Sequence, residues 1–526
     1  MKVTINQSDC TFKSAILGKG KPKMAPGLWP LMLYASKISG LGTDQVNYAF
    51  FQVTGLFLAI GYRQILHPHR VSPTVRHVVA ATIGIYMAVF SYSWSSFHLF
   101  AQSTIPYIMM RTMNPQVIHK FVFTFSIAYM SAVHISQQYQ NINIYLMDHI
   151  GPMMVMTEKV TSLAFSLHDG LTKDDSKLNS QQREMATKKM PTIIEYYSYI
   201  FYFQALAVGP VCFYNDYIDF IKGKHLVPYV IKTKDGKEVV VHKEPPVLLA
   251  VIKKLLFSAL MVVILLTMVP RYPLMGNFYN IELLNSSLLN KFIYLWISVE
   301  VAKSKYFFAW TYADALNNAS GLGFNGYDKN GNPKWDLVTN INIKDFELST
   351  SLKVLIDNWN TQTRKWLRYV CYDRVPFQKT LFTFILSSIW HGFQPGYFWT
   401  FFQGAYFTYA GRKVRYTIRP FFQDSKAKKI LYDMFTWLGT QILLSYLVLP
   451  FTLLNNSIII QFYSSMYFCI HILAALFIIL FPTKKRPSKT DSDNNSVTDT
   501  HAILTANNTI KINGNCNGPL NVKKMQ

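Results

Sequence analysis

The chain has 526 residues, with 52 Lys and Arg against 28 Asp and Glu for a formal net charge of +24, and it is 50% hydrophobic, 15% aromatic and only 15% charged. Soluble domains are about 25% charged, so this composition excludes an ordinary soluble globule and suits a membrane protein. The positive surplus alone would also suit nucleic acid, but long apolar stretches set that partner aside in favour of anionic head groups or a phosphorylated cofactor.

In chain order, MKVTINQSDCTFKSAILGKGKPKMAPG is polar and lacks the continuous apolar run of a cleavable signal peptide, so residues 1–44 are expected to be a polar segment with room for an interfacial helix. Residues 246–268 and 462–482 each meet the roughly 20-residue length of a membrane-crossing helix. Further apolar segments fall at 47–66, 78–100, 117–136, 145–167, 196–213, 289–313, 377–391, 396–411 and 431–454. Together they predict an all-α polytopic membrane domain over residues 45–482, with about ten or eleven spans. Many segments carry Ser, Thr, Tyr, Gln or His, as helices do when they face a bundle interior or a watery chamber.

Lys and Arg gather in short connections, at 18–22, 221–243, 412–419, 426–429 and 484–486. The polar stretch 171–192 reads as an exposed loop, and 229–242 alternates around Asp235-Gly236, a hairpin signal. Residues 320–358 are rich in Gly, Asn and Asp, and either lie in the membrane interface or line a cavity. Residues 483–526 have few large apolar side chains to offset the entropy of ordering and read as a disordered cytosolic tail. Its last residues, Lys523-Lys524-Met525-Gln526, match a dilysine address for the endoplasmic reticulum membrane. Cys10, Cys212, Cys371, Cys469 and Cys516 are scattered without a CxxC pair, so neither a disulfide framework nor a metal site is predicted. Sequons occur at Asn285, Asn318, Asn455 and Asn507.

Two stretches hold residues with chemistry to offer. In SSIWHGFQPGYF, residues 387–398, His391 ends an apolar run and a Gly-Phe-Gln-Pro-Gly breaker follows. Histidines in apolar segments recur at His98, His134 and His471, so packing is one reading of His391. The other is a general base in a buried cavity, since non-helical backbone at membrane depth needs protein or water to satisfy it, and a neutral imidazole there can take a hydroxyl proton. Ser387 and Ser388 would be its polar neighbours. In DNWNTQTRKWLR, residues 357–368, a continuous helix would set Trp359, Thr363, Trp366, Leu367 and Val370 on one face, with Arg364, Lys365 and Arg368 around it. That is either a tryptophan-anchored juxtamembrane helix or a site where Asn360 orients a reacting group and the cations meet phosphates.

Taken together, WNxxTxxWLR from Trp359, WHG at 390–392, MTEKVTSLAFSLHDG at 156–170, YFQALAVGPVCFYNDYIDFI at 202–221 and SGLGFNGY at 320–327 resemble the membrane-bound O-acyltransferase superfamily, in its lysophospholipid acyltransferase branch. The resemblance spans most of residues 45–480 and implies a helical bundle enclosing a catalytic chamber. It also implies transfer of an acyl group from acyl-CoA, as co-substrate, to the free hydroxyl of a lysophospholipid, with no permanently bound cofactor. It places the family's histidine at His391 and its asparagine at Asn360; Arg364, Lys365, Arg368 and Arg374 are candidates for the CoA phosphates. Glu158, Lys159, His168, Asp216, Tyr217 and Asp219 are read as structural. The alternatives are a protein or sterol acyltransferase of the same superfamily, disfavoured because DNWNTQT departs from the FYxDWWN of the sterol branch, and a non-enzymatic transporter.

Overall fold

The computed structural model describes residues 29–140, 148–224, 226, 228–232, 238–242, 245–273, 280–328 and 332–482; the start of the N-terminal segment, the Asp235-Gly236 turn and the 483–526 tail lie outside them. The main helices are α1 (Trp29–Ser39), α2 (Thr43–Ile65), α3 (Pro73–Tyr92), α4 (Ser96–Thr112), α5 (Ile118–Tyr139), α6 (Ile150–Thr172), α7 (Ile193–Phe201) and α8 (Tyr214–Ile221). After them come strands β1 (Pro228–Lys232) and β2 (Glu238–His242), then α9 (Leu248–Met268), α10 (Leu288–Ser320), α11 (Leu352–Asn358) and α12 (Thr361–Leu367). The last helices are α13 (Lys379–His391), α14 (Pro395–Ile418), α15 (Lys426–Leu453), α16 (Asn456–Ser465) and α17 (Cys469–Leu480). The strands form the expected hairpin, antiparallel with Pro228 opposite His242.

Among the described residues, four helical stretches are long and apolar enough to cross a membrane: α3 with α4, α5, α9 and α15. The pair α16 and α17 makes a fifth if counted as one span, but it is bent by 75°. The remaining long helices, α2, α6, α10 and α14, have 23, 23, 33 and 24 residues and carry many polar side chains, which the packed interior accommodates. Three sequence expectations change. Residues 462–482 are not one straight helix, because Tyr467 and Phe468 take left-handed conformations (φ 55° and 48°) and turn the chain between α16 and α17. Residues 196–213 do not form a helix throughout, since α7 ends at Phe201 and irregular chain runs through Gly209-Pro210 to α8. The 171–192 stretch is largely exposed, as expected, but it is not a plain loop: it carries a short helix (Ser180–Met185) and is pinned where the Thr187 backbone N–H donates to the Ser166 carbonyl (3.0 Å) and Gln181 Nε2 to the Lys365 carbonyl (3.1 Å).

The interior is unusually polar. Lys254 Nζ on α9 reaches Asp314 Oδ2 and the Trp335 carbonyl, both at 2.7 Å, and Thr339 donates to the same Asp314 oxygen at 2.6 Å. Charges at this depth persist only when paired and hydrogen-bonded, and this cluster ties the polar 320–358 segment to two long helices. Asn318, one of the sequons, is fully buried there and gives its amide to the Trp335 carbonyl at 3.3 Å, so no glycan fits on it.

Candidate active site

Helix α6 is the element from which the site is built. Along one side of it, Met154, Glu158, Thr161 and Asp169 recur at helical spacing, so they fall within one quadrant of its surface. Each holds a partner far along the chain. The Met154 carbonyl accepts from Trp390 Nε1 (3.1 Å), Glu158 Oε1 from the Thr363 hydroxyl (2.8 Å), and Thr161 Oγ1 from Trp366 Nε1 (2.8 Å). At the helix end, Asp169 takes Arg374 through both guanidinium nitrogens (2.9 and 2.5 Å) and Tyr369 Oη at 3.0 Å. The rings of Trp366 and Trp390 lie 5.9 Å apart, which brings the two sequence motifs together against α6.

Trp366 is fully buried, so the expectation of a tryptophan-anchored interfacial helix over 357–368 fails. There is no continuous helix either: α11 ends at Asn358, Trp359 is extended, and Asn360 sits in the left-handed region (φ 46°, ψ 54°) before α12 begins. Asparagine tolerates that conformation where most residues do not. Asn340 fixes the turn, its backbone carbonyl accepting from Thr361 N (2.8 Å) and its side-chain Oδ1 from Gln362 N (3.1 Å). The Asn360 side chain makes no cap on α12 and lines a cavity.

The cavity holds about 720 Å³, within the usual range for a small-molecule site, and His391, Asn360, His134, Glu158, Asn340 and Tyr397 are among its walls. His391 is the last residue of α13. Its ring stacks on Phe401 (5.1 Å, 23°) and meets Phe451 edge-on (5.1 Å, 86°), while Tyr397 stands 5.7 Å away. An aromatic setting fixes the ring plane without occupying its nitrogens. Ser387 and Ser388 are buried elsewhere, and Ser388 donates to the Phe384 carbonyl of its own helix (2.9 Å), so the predicted serine neighbours do not serve the cavity.

The Gly-Phe-Gln-Pro-Gly breaker is a helix hairpin, with α13 and α14 packed together around the turn 392–394. Gly392 has φ 120°, and a Cβ there would stand 3.0 Å from His134 Nδ1, so the glycine admits the His134 ring beside His391. Gly396 lets the start of α14 press on the Pro450 carbonyl at the end of α15. Gly392→Ala is therefore expected to displace His134 or tilt His391, lowering turnover at least tenfold, since misplacements of about 1 Å can cost as much as 10². Steady-state rates on purified protein check this.

The predicted phosphate-binding cations lie outside this cavity, toward the α6 C-terminus. Arg364 stands 3.7 Å from Asp357 and Arg368 3.4 Å from Asp373, both partly exposed, while Arg374 is committed to Asp169. Burial and the nearby Glu184 carboxylate hold Asp216 up to about 6, with the charge of Lys365 drawing it back. Sequence reasoning gave Met154, Thr161, Thr363 and Trp390 no anchoring role; the helical spacing of Glu158, Thr161 and Asp169 in MTEKVTSLAFSLHDG carried part of that information, visible once their partners are known.

The sequence profile of the membrane-bound O-acyltransferase family matches residues 135–452, which take in α6, both motifs and the later-sequence walls of the chamber. The chain belongs to the membrane-bound O-acyltransferase family. Among similar proteins of that name, membrane-bound glycerophospholipid O-acyltransferase 2 of Homo sapiens is 41% identical over 460 residues, covering 86% of this chain and 88% of the relative. Membrane-bound glycerophospholipid O-acyltransferase 1 of Homo sapiens is 40% identical over 473 residues, 88% of this chain and 95% of its own length. Lysophospholipid acyltransferase 6 of Drosophila melanogaster is 40% identical over 446 residues, 84% of this chain and 62% of the relative. As a membrane-bound O-acyltransferase with several bilayer-length apolar helices, the chain is a polytopic membrane enzyme.

Proposed function

We propose that the protein transfers a fatty acyl group from acyl-CoA to the free, usually sn-2, hydroxyl of a lysophospholipid, of the lysophosphatidylserine, lysophosphatidylethanolamine or lysophosphatidylcholine kind. The observation that carries the reading is the shared chamber of His391 and Asn360 inside a chain about 40% identical, over most of its length, to relatives named for glycerophospholipid and lysophospholipid acylation.

In this reading a His391 nitrogen takes the proton of the lysolipid hydroxyl as its oxygen attacks the thioester carbonyl carbon. The carbon–sulfur bond breaks, and the proton passes to the departing thiolate, giving phospholipid and free CoA. The Asn360 amide holds the carbonyl or the hydroxyl in line. Docking both oily substrates in one chamber removes most of the entropic cost of their encounter. Arg364, Lys365 and Arg368, outside the chamber, are proposed to meet CoA phosphates beyond it, on a side that faces the cytosol by the positive-inside tendency. The Lys523-Lys524 pair supports an endoplasmic reticulum membrane location with a cytosolic tail as part of the same reading.

The test is a panel of lysolipids crossed with acyl-CoAs on purified protein. Labelled acyl transfer to at least one lysophospholipid, and none to sterol or peptide, is the expected result; transfer only to the latter acceptors overturns the proposal. Asn360 needs a variant that respects its backbone. Asn360→Gly keeps the left-handed turn and removes the amide, so unchanged thermal stability with about a 10²-fold loss in kcat is expected. Full activity in the glycine variant would leave Asn360 a purely conformational role.

A further inference from the structure

At the far end of α14 from His391, a second cleft of about 550 Å³ is lined by Arg412, Arg415, Tyr416, Arg419, Pro420 and Gln423. None of these residues borders the chamber. We propose that this cleft binds the phosphate of an anionic phospholipid from the surrounding bilayer. The inference needs only that the chain spans a membrane, and it stands or falls separately from the lysolipid reaction.

Three observations point the same way. The arginines recur at i, i+3 and i+7 across the end of α14 and the following turn, so their guanidinium groups share one face. Among the described residues none of the three forms an ion pair; the nearby Asp424 is taken by Lys428 at 2.7 Å. Like charges at this spacing repel, and an anion between them reverses the sign of that interaction. Guanidinium forks also match phosphate oxygens bidentately.

The side chains around the cleft identify the phosphate as a lipid's. Tyr416, in the cleft wall, is 46% exposed, and Phe421, in the turn directly after Pro420, is 73% exposed. Aromatic and apolar groups left open beside arginines mark the level where head groups meet acyl chains. A soluble phosphate would find no use for that apolar rim, whereas a phospholipid sets its glycerol and chains along it. Anionic lipids contribute roughly 1 kcal/mol per basic residue near the surface, so removing three should weaken retention about 10²-fold.

The experiment is native mass spectrometry of the full-length protein from nanodiscs containing phosphatidylcholine with a minor share of phosphatidylserine. Wild type is expected to retain phosphatidylserine selectively, and Arg412→Gln/Arg415→Gln/Arg419→Gln to lose that selectivity. The control Lys426→Gln/Lys428→Gln/Lys429→Gln removes the same charge one helix away and should keep it. Arg415→Gln alone is expected to weaken retention about fivefold and carries the test if the triple variant does not fold. Equal retention by wild type and the arginine variants overturns the proposal, as does equal loss in the lysine control. Displacement of the lipid by millimolar inorganic phosphate would reassign the cleft to soluble phosphate and overturn it too.

Discussion

Replacing His391 with alanine is expected to slow acyl transfer by about 10²–10⁴-fold, the range over which a positioned general base accelerates proton transfer. The ring makes aromatic contacts with Phe401, Phe451 and Tyr397. Truncation therefore loses packing worth about 0.5–1.5 kcal/mol per aromatic pair, which a helical bundle of this size withstands. His391→Gln keeps more of the volume and removes the base, and should be as slow as the alanine variant. Acyl-CoA should still shift the thermal midpoint of both variants, because binding groups elsewhere in the chamber are intact. The decisive measurement is single-turnover transfer of labelled acyl groups to lysophospholipid; a wild-type rate in either variant would end the assignment of His391 as the base.

The second large effect concerns stability. Asp169 is fully buried and Arg374 only 16% exposed, and their contact is bidentate. Removing Asp169 strands the Arg374 charge, which typically costs about 3–5 kcal/mol, and removing Arg374 leaves the buried Asp169 carboxylate with only Lys173 (2.9 Å) and Tyr369 (3.0 Å). Arg374→Ala and Asp169→Ala should each lower the unfolding midpoint in detergent by many degrees. The double variant should fall well short of their sum, because the stranded charge disappears with its partner. Strict additivity would mean that the pair is not energetically coupled. Loss of the pair also frees the turn after α12, so the single variants should lose activity before they unfold.

Some of this arrangement can be read from the amino acids alone, and the residues show why. The chain break after His391 is announced by Gly392, Pro395 and Gly396, whose backbone limits are local. The break at Tyr467 and Phe468 is announced by nothing local: two aromatic residues take the left-handed region, Phe468 packing 5.9 Å from Tyr463 and 5.6 Å from His471 while Tyr467 is exposed. Asn360 and His391 stand out by chemistry and motif, and they do meet at one cavity. That Trp366 would be fully buried, and not a membrane-surface anchor, depended on Thr161, a residue 205 positions away. His134 looked like one more apolar-segment histidine until Gly392 gave its ring a place beside His391. Contacts between distant segments leave only one half of their signature in any local stretch.

The separation between α6 and its partners also sets a timetable for synthesis. Glu158, Thr161 and Asp169 are made about 205 residues before Thr363, Trp366 and Arg374. At about 5–20 residues per second, that leaves α6 in the membrane for roughly 10–40 s with Glu158 awaiting Thr363 and Asp169 held by Lys173 alone. Lys159 waits far less, since the Tyr199 and Ile200 carbonyls that take its ammonium lie only 40 and 41 residues on. A nascent chain stalled before residue 363 therefore leaves α6 without the partners that tie it into the bundle, the form of this protein most open to capture by membrane chaperones and to degradation.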